Sequence, residues 1–194
     1  MTNLEKIKEI RERSGVSLGA CMQALDKVGG DVEKALVELQ KQGLLRAAKN
    51  KSDAKEGCIY SYTHSDSKLV AVVEVNCQTD FCARSEEFRE FAEQCSLQVA
   101  SMAPKYLSSG DVPDDVLESQ RDIFKSQTYN LSNDINDHIV NGKMRKWFSE
   151  VCLMDQKSVV VPGGITMEQL RANLVMKTGE NIVVRRFLRW KIGE

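Results

Sequence analysis

The chain has 194 residues, with 27 Lys and Arg against 28 Asp and Glu, a formal net charge of -1 and 28% charged residues. Such a balance argues against a dedicated nucleic-acid binder, whose electrostatic footprint is a strongly basic domain. No apolar run approaches the roughly 20 residues that span a bilayer, and Met1-Thr2-Asn3-Leu4-Glu5 opens neither a signal-peptide core nor an arginine-rich, acid-poor transit pattern. The expectation is a cytoplasmic protein with no membrane partner and no direct nucleic-acid partner.

Cysteines stand at 21, 58, 77, 82, 95 and 152, spread along a chain without an export signal, which favours reduced thiols. There is no CxxC pair, and Cys77 and Cys82 with His64 do not reproduce a zinc-site spacing, so neither a metal nor a cofactor is expected. Cys21, Cys77 and Cys95 fall on apolar-periodic positions and read as small buried hydrophobes.

The first 46 residues predict three short helices. Thr2 with Glu5 fits a capping box, followed by Leu4, Ile7 and Ile10 at helical spacing up to Ser14-Gly15. Ser17 is placed to cap a second helix carrying Leu18, Cys21, Leu25 and Val28, stopped by Gly29-Gly30. Asp31 caps a third, whose stripe of Val32, Ala35, Leu36 and Leu39 precedes Gly43. Each helix has one apolar face, and sharing those faces makes a compact module over 1–46. Residues 47–57 are polar and charged without an apolar period and read as a linker.

Residues 58–194 predict an α+β core, an antiparallel sheet packed with helices. Cys58 to His64 and Leu69 to Cys77 are rich in Ile, Val, Tyr and Thr and flank Ser65-Asp66-Ser67-Lys68, the pattern of a hairpin. Ala71, Val73, Val75 and Cys77 share one face with Leu69. After Ser85, a helix cap, Phe88, Phe91, Ala92, Cys95, Val99 and Met102 hold helical spacing. From Pro113 to Glu150 the pattern is helical but polar and predicts a helical hairpin broken near Asn130 to Asn133. Val151 to Val161 has strand character, Thr166 to Gly179 a further capped helix, and Ile182, Val184, Leu188, Trp190 and Ile192 share one face of a last strand.

Between the second strand and the following helix stand Gln78, Thr79, Asp80 and Phe81. Their short polar side chains suit a turn, where they bond nearby backbone N–H groups. Phe81 admits two readings: a staple folded under its own helix, or an aromatic presented outward. A cysteine hydrolase using Cys77 or Cys82 with His64 is disfavoured, since nothing in the pattern supplies an oriented base. There is no GxxxxGK[ST] loop with which the chain itself would bind a nucleotide.

Asn76-Cys77-Gln78-Thr79-Asp80-Phe81 resembles the signature turn of translation elongation factor Ts, the nucleotide exchange factor for elongation factor Tu. Gly179-Glu180-Asn181-Ile182-Val183-Val184-Arg185-Arg186-Phe187-Leu188-Arg189-Trp190 resembles its closing strand, Arg11-Glu12-Arg13-Ser14-Gly15 its first turn, and Ile139 to Phe148 one of its helices. The three-helix module is similar to the ubiquitin-associated type that opens this family and docks on the nucleotide-binding domain of factor Tu. The resemblance implies a non-enzymatic guanine nucleotide exchange factor in translation elongation, with Thr79, Asp80 and Phe81 as the exchange contacts. It further implies module contacts at Arg11 and Leu18, and a core contact at His64, from Ser61-Tyr62-Thr63-His64. Gly19-Ala20-Cys21-Met22-Gln23 departs from a Met-Asp-Cys-Lys-Lys-like run common in the family. Longer members carry two related core subdomains, and the single set of motifs here implies a short form that works as a homodimer. The alternative is a binding adaptor that docks through the three-helix module and has lost exchange activity.

Overall fold

The computed structural model describes residues 2–49, 53–127 and 133–194. Along them run α1 (Asn3–Ser14), α2 (Leu18–Lys27), α3 (Val32–Lys49), β1 (Glu56–Thr63), β2 (Leu69–Cys77), α4 (Asp80–Arg84), α5 (Glu86–Met102), α6 (Asp114–Ser126), α7 (Asn133–Val151), α8 (Met167–Thr178) and β3 (Val183–Lys191). The class is α+β, with the strands in one antiparallel sheet of order β1-β2-β3. Residues 50–52 of the expected linker and 130–132 of the expected break in the helical hairpin lie outside the described residues. None of the described helices is long and apolar enough to cross a membrane.

The described residues form two compact units, one from 1–60, 74–93 and 168–185, the other from 61–73, 94–167 and 186–194. In the first, α1 begins on the expected capping box: the Glu5 N–H donates to Thr2 Oγ1 at 3.4 Å and the Thr2 N–H donates to Glu5 Oε2 at 2.8 Å. Ser17 stands at the N-cap of α2 but makes no side-chain cap bond. Asp31 does cap α3, its Oδ1 accepting from the Lys34 N–H at 3.0 Å. The three helices close on Ile10, Cys21, Ala24, Leu25 and Ala35, all essentially inaccessible, and Met176 of α8 packs against this same core.

Gly43 does not end α3, which continues to Lys49. Its missing side chain serves contact instead, because a Cβ there would lie 3.1 Å from the Ala172 carbonyl oxygen and 2.9 Å from Met176 Cγ. Gly57 has a comparable role on β1, where φ is 149° and a Cβ would fall 2.2 Å from the Val75 carbonyl oxygen.

The hairpin is closed by the His64 N–H donating to the Leu69 carbonyl at 2.9 Å. Ala71, Val73, Val75 and Cys77 are fully buried while the residues between them are partly covered, the alternation that a half-buried strand requires. On α5 the stripe from Phe88 to Val99 is buried, but Met102, at the last position, is 45% exposed. In β3, Val184 is buried, whereas Leu188 and Trp190, four and six residues further on the same face, lie open.

In the second unit α6 and α7 pack against each other, with Lys143 Nζ donating to Gln127 Oε1 at 2.7 Å and standing over the Phe124 ring. The strand expected from Val151 to Val161 does not form. Residue 151 ends α7, a 3-10 turn follows at Leu153–Asp155, and only isolated bridges Tyr106–Cys152 and Lys157–Thr166 remain. The reason is where the backbone bonds go: the Leu153 N–H donates to the Tyr106 carbonyl and the Met154 N–H to that of Leu107, while the Val159 N–H donates to the side chain of Gln98. Scattered acceptors leave no ladder. Gln98, fully buried, completes the arrangement by donating to Gln156 Oε1 and to the Lys157 carbonyl, both at 3.1 Å.

Candidate functional site

The residues from Cys77 to Arg84 turn the end of β2 into α4. Thr79 is the N-cap of that helix, extended at φ -124° and ψ 153°, and its Oγ1 accepts from the Cys82 N–H at 3.2 Å. A hydroxyl can accept one bond and donate another. Thr79 donates to Glu180 Oε1 at 2.6 Å, while Glu180 Oε2 accepts from the Gln78 N–H at 3.0 Å and the Thr79 N–H at 3.1 Å. Next to it the Asn181 N–H donates to Gln78 Oε1 at 2.9 Å. The turn is therefore pinned on both sides by the segment between α8 and β3. Charge-assisted bonds of this kind are the stronger class.

Sequence reasoning about this turn missed Glu180. Gly179-Glu180-Asn181 reads as a helix stop and the approach to the last strand, and no local pattern says that a carboxylate there will accept from a turn 101 residues away.

Phe81 occupies the second position of α4 and is 82% exposed, which rules out the staple under its own helix. Neighbouring Cys82 and Ala83 are buried, so the short helix has an inward and an outward side, and Phe81 is on the outward one. Asp80 does not hold the turn by capping. Its carboxylate pairs with Arg84 one helical turn on, at 3.0 Å, in an exposed i, i+4 ion pair.

Burial pushes the Cys82 thiol up to about 12, with the neighbouring Cys77 and Glu180 adding to the effect. Burial likewise raises Cys77. Both stay protonated at neutral pH, the reverse of what a nucleophilic cysteine needs. All six cysteines are free thiols.

The remaining expected contacts lie elsewhere. Arg11 is exposed in the last turn of α1, and Leu18, the first residue of α2, is 44% exposed, with Met22 45% exposed one helical turn on. Gly19 is open, with no atom within 4 Å of where a Cβ would stand. His64 is exposed at the end of β1, where its Nδ1 accepts from the Ser65 N–H at 2.8 Å.

The profile of the family described as Elongation factor TS matches residues 22–164. Elongation factor Ts of Caldanaerobacter subterraneus subsp. tengcongensis is 41% identical over 197 residues, covering 100% of this chain and 98% of the relative. The chain belongs to the elongation factor Ts family. Two further members show the same reach: Elongation factor Ts of Thermodesulfovibrio yellowstonii, 42% identical over 98% of this chain and 96% of its own, and that of Thermotoga petrophila, 39% identical over 99% and 96%. Membership gives the chain a place in translation elongation. Within the chain the Thr79-to-Phe81 turn joins a strand to a helix and displays an aromatic ring, held by a carboxylate from the segment that precedes the last strand.

Proposed function

We propose that this chain is a guanine nucleotide exchange factor for elongation factor Tu, and that Phe81 is the contact on which exchange turns. The observation that carries the reading is a large apolar ring, 82% exposed, on a helix start fixed by the hydrogen bonds to Glu180. A ring on a loose loop would cost backbone freedom on binding; here the backbone that carries it is held beforehand.

No covalent bond is made or broken. GDP on a GTP-binding protein is held by backbone amides of a phosphate loop and by magnesium bridging to phosphate oxygens. A factor that binds the empty partner more tightly than the loaded one must, by linkage, weaken GDP by the same ratio. Phe81 supplies that difference if its pocket opens only when the magnesium and phosphate side is displaced. Burying one Phe side chain is worth roughly 1.5–3 kcal/mol, or about ten- to a hundredfold in affinity. Docking by the three-helix module over residues 1–46, through Arg11 and Leu18, and a core contact at His64 add to it.

Stopped-flow release of labelled GDP from factor Tu tests the reading. Acceleration by the native chain that drops about ten- to a hundredfold with Phe81→Ala is the expected result. Binding to factor Tu without any acceleration would favour the adaptor instead.

A further inference from the structure

The turn that displays Phe81 also gathers two thiols and a carboxylate. Cys77 Sγ, Cys82 Sγ and a Glu180 oxygen all lie within 4.8 Å of one another, contributed by the end of β2, the first turn of α4 and the segment after α8. Tetrahedral zinc, with bonds of about 2.3 Å to sulfur and 2.0–2.2 Å to oxygen, holds such atoms roughly 3.5–3.8 Å apart. Rotamer adjustments of about an ångström bring three side chains from the observed spacing to that one.

We propose that Cys77, Cys82 and Glu180 form a binding site for a thiophilic divalent cation of the zinc type, with a fourth position left for water or an outside ligand. Two sulfurs and one oxygen suit zinc or cadmium and not magnesium or calcium, which take six or more oxygen ligands. The surroundings are those of a metal site. Glu180 is oriented by the N–H groups of Gln78 and Thr79 and by the Thr79 hydroxyl, the outer shell that a ligating carboxylate requires. Cys77 is fully buried and Cys82 is 7% exposed, so competing water is kept from the sulfurs, while Glu180 is only half-buried and offers the way in. The Cys-x4-Cys spacing hides the site from a sequence reading, because the third ligand comes from the far end of the chain.

Binding displaces the thiol protons of Cys77 and Cys82 to water, so the cation and not the surroundings drives their ionisation and affinity rises with pH. It draws Cys77 away from its present acceptor, the Thr79 carbonyl at 3.2 Å, and ties the end of β2 directly to α4 across the residues that present Phe81. The rival account of the cluster is a set of thiols satisfied by hydrogen bonds alone, and it makes a different prediction for metal.

The full chain, reduced, stripped with chelator and desalted, is titrated with cadmium and followed by the ultraviolet thiolate-to-cadmium charge-transfer band. One equivalent per chain is expected, displaced by zinc, together with a rise in melting temperature. Cys82→Val should lose both the band and the rise, and Glu180→Gln should weaken binding by at least about tenfold, since weakening a direct ligand costs no less than losing one of its outer-shell partners. Cys152→Ala, remote in sequence and outside the cluster, should bind as the native chain does. A native chain with no saturable band, or a Cys82→Val chain with an unchanged one, overturns the site. Should Cys82→Val fail to fold, Cys82→Ser provides the same comparison. Factor Tu takes no part in the test, so its outcome is separate from that of the exchange reading.

Discussion

Phe81 and Glu180 divide the work of one turn, and substitution separates them. Phe81 is mostly in solvent, so Phe81→Ala should leave stability within about 0.5 kcal/mol of the native chain, as surface changes usually do, while GDP release slows. Glu180→Ala removes the acceptor of the Gln78 and Thr79 N–H groups and of the Thr79 hydroxyl. Because the site is half-open to water, the expected cost is about 1–2 kcal/mol, below the value of the same bonds in a dry core. Urea unfolding and GDP release measured on both variants should show one change affecting exchange alone and the other affecting both. An intact melt for Glu180→Ala would mean that water replaces the carboxylate and the turn is held by Thr79 alone. The sequence placed Thr79, Asp80 and Phe81 at the strand-to-helix junction from composition and spacing; local pattern alone suits a folded-under and an outward ring equally, and only the family resemblance pointed outward. Glu180 was beyond it for another reason. Capping by a neighbour is local information, whereas a carboxylate that caps from across the fold is a product of tertiary structure.

Among the elements, those that carry their own start signals were legible. Thr2 with Glu5 opens α1, Asp31 opens α3, and the stripe from Phe88 to Val99 lies on the buried side of α5. The segment from Val151 to Val161 was not, because β-branched residues make a strand only where a partner edge is available, and here Gln98 and the Tyr106–Leu107 backbone take the bonds. Cys152 lies in this segment, fully buried, and burial with Asp155 and Asp111 nearby pushes its thiol up to about 12 from an ordinary 9.0. The sign follows from linkage: the folded state holds the proton more tightly, so the contribution is complete below pH 9 and is lost as pH rises from there toward 12. Native stability should therefore fall over that window with a slope of up to about 1.4 kcal/mol per pH unit from this group. Cys152→Ala should begin about 1 kcal/mol less stable at pH 7, from the lost packing, and fall less steeply above pH 9. Chemical denaturation at several alkaline pH values, under reducing conditions, measures the difference in slope directly. Parallel curves for the two chains would show that Cys152 ionises at its ordinary pH despite burial.

At the scale of the whole molecule, the question is whether one chain is enough. The last strand of the sheet, β3, opens on a buried Val184 and then exposes Leu188 at 42%, Trp190 at 65% and, just past its end, Ile192 at 74%. Scattered apolar residues on a surface need no account, but three alternating on one face of an edge strand make a continuous stripe of the kind that marks an interface. A second copy of the chain is the occupant we infer, in line with the homodimer implied by the single set of core motifs. A stable dimer needs about 800 Å² buried on each side, which the stripe can centre but not supply alone, so the rest of that face must join it. Trp190→Glu places a charge in the middle of the stripe and should raise the dimer dissociation constant by at least about a hundredfold, the scale of a lost aromatic hot spot. The monomer should remain folded, because Trp190 contributes little to its own chain's core. Light scattering of the native chain near the mass of a single copy at micromolar concentration would refute the dimer outright. If the native chain is dimeric and Trp190→Glu is not, GDP release decides what the second copy is for. The Phe81 turn is built entirely from residues 77–84 and 180–181 of one chain, so it persists in the monomer. Exchange retained per chain would then make dimerisation a matter of stability, and exchange lost with the turn intact would mean that factor Tu is gripped by surfaces from both copies.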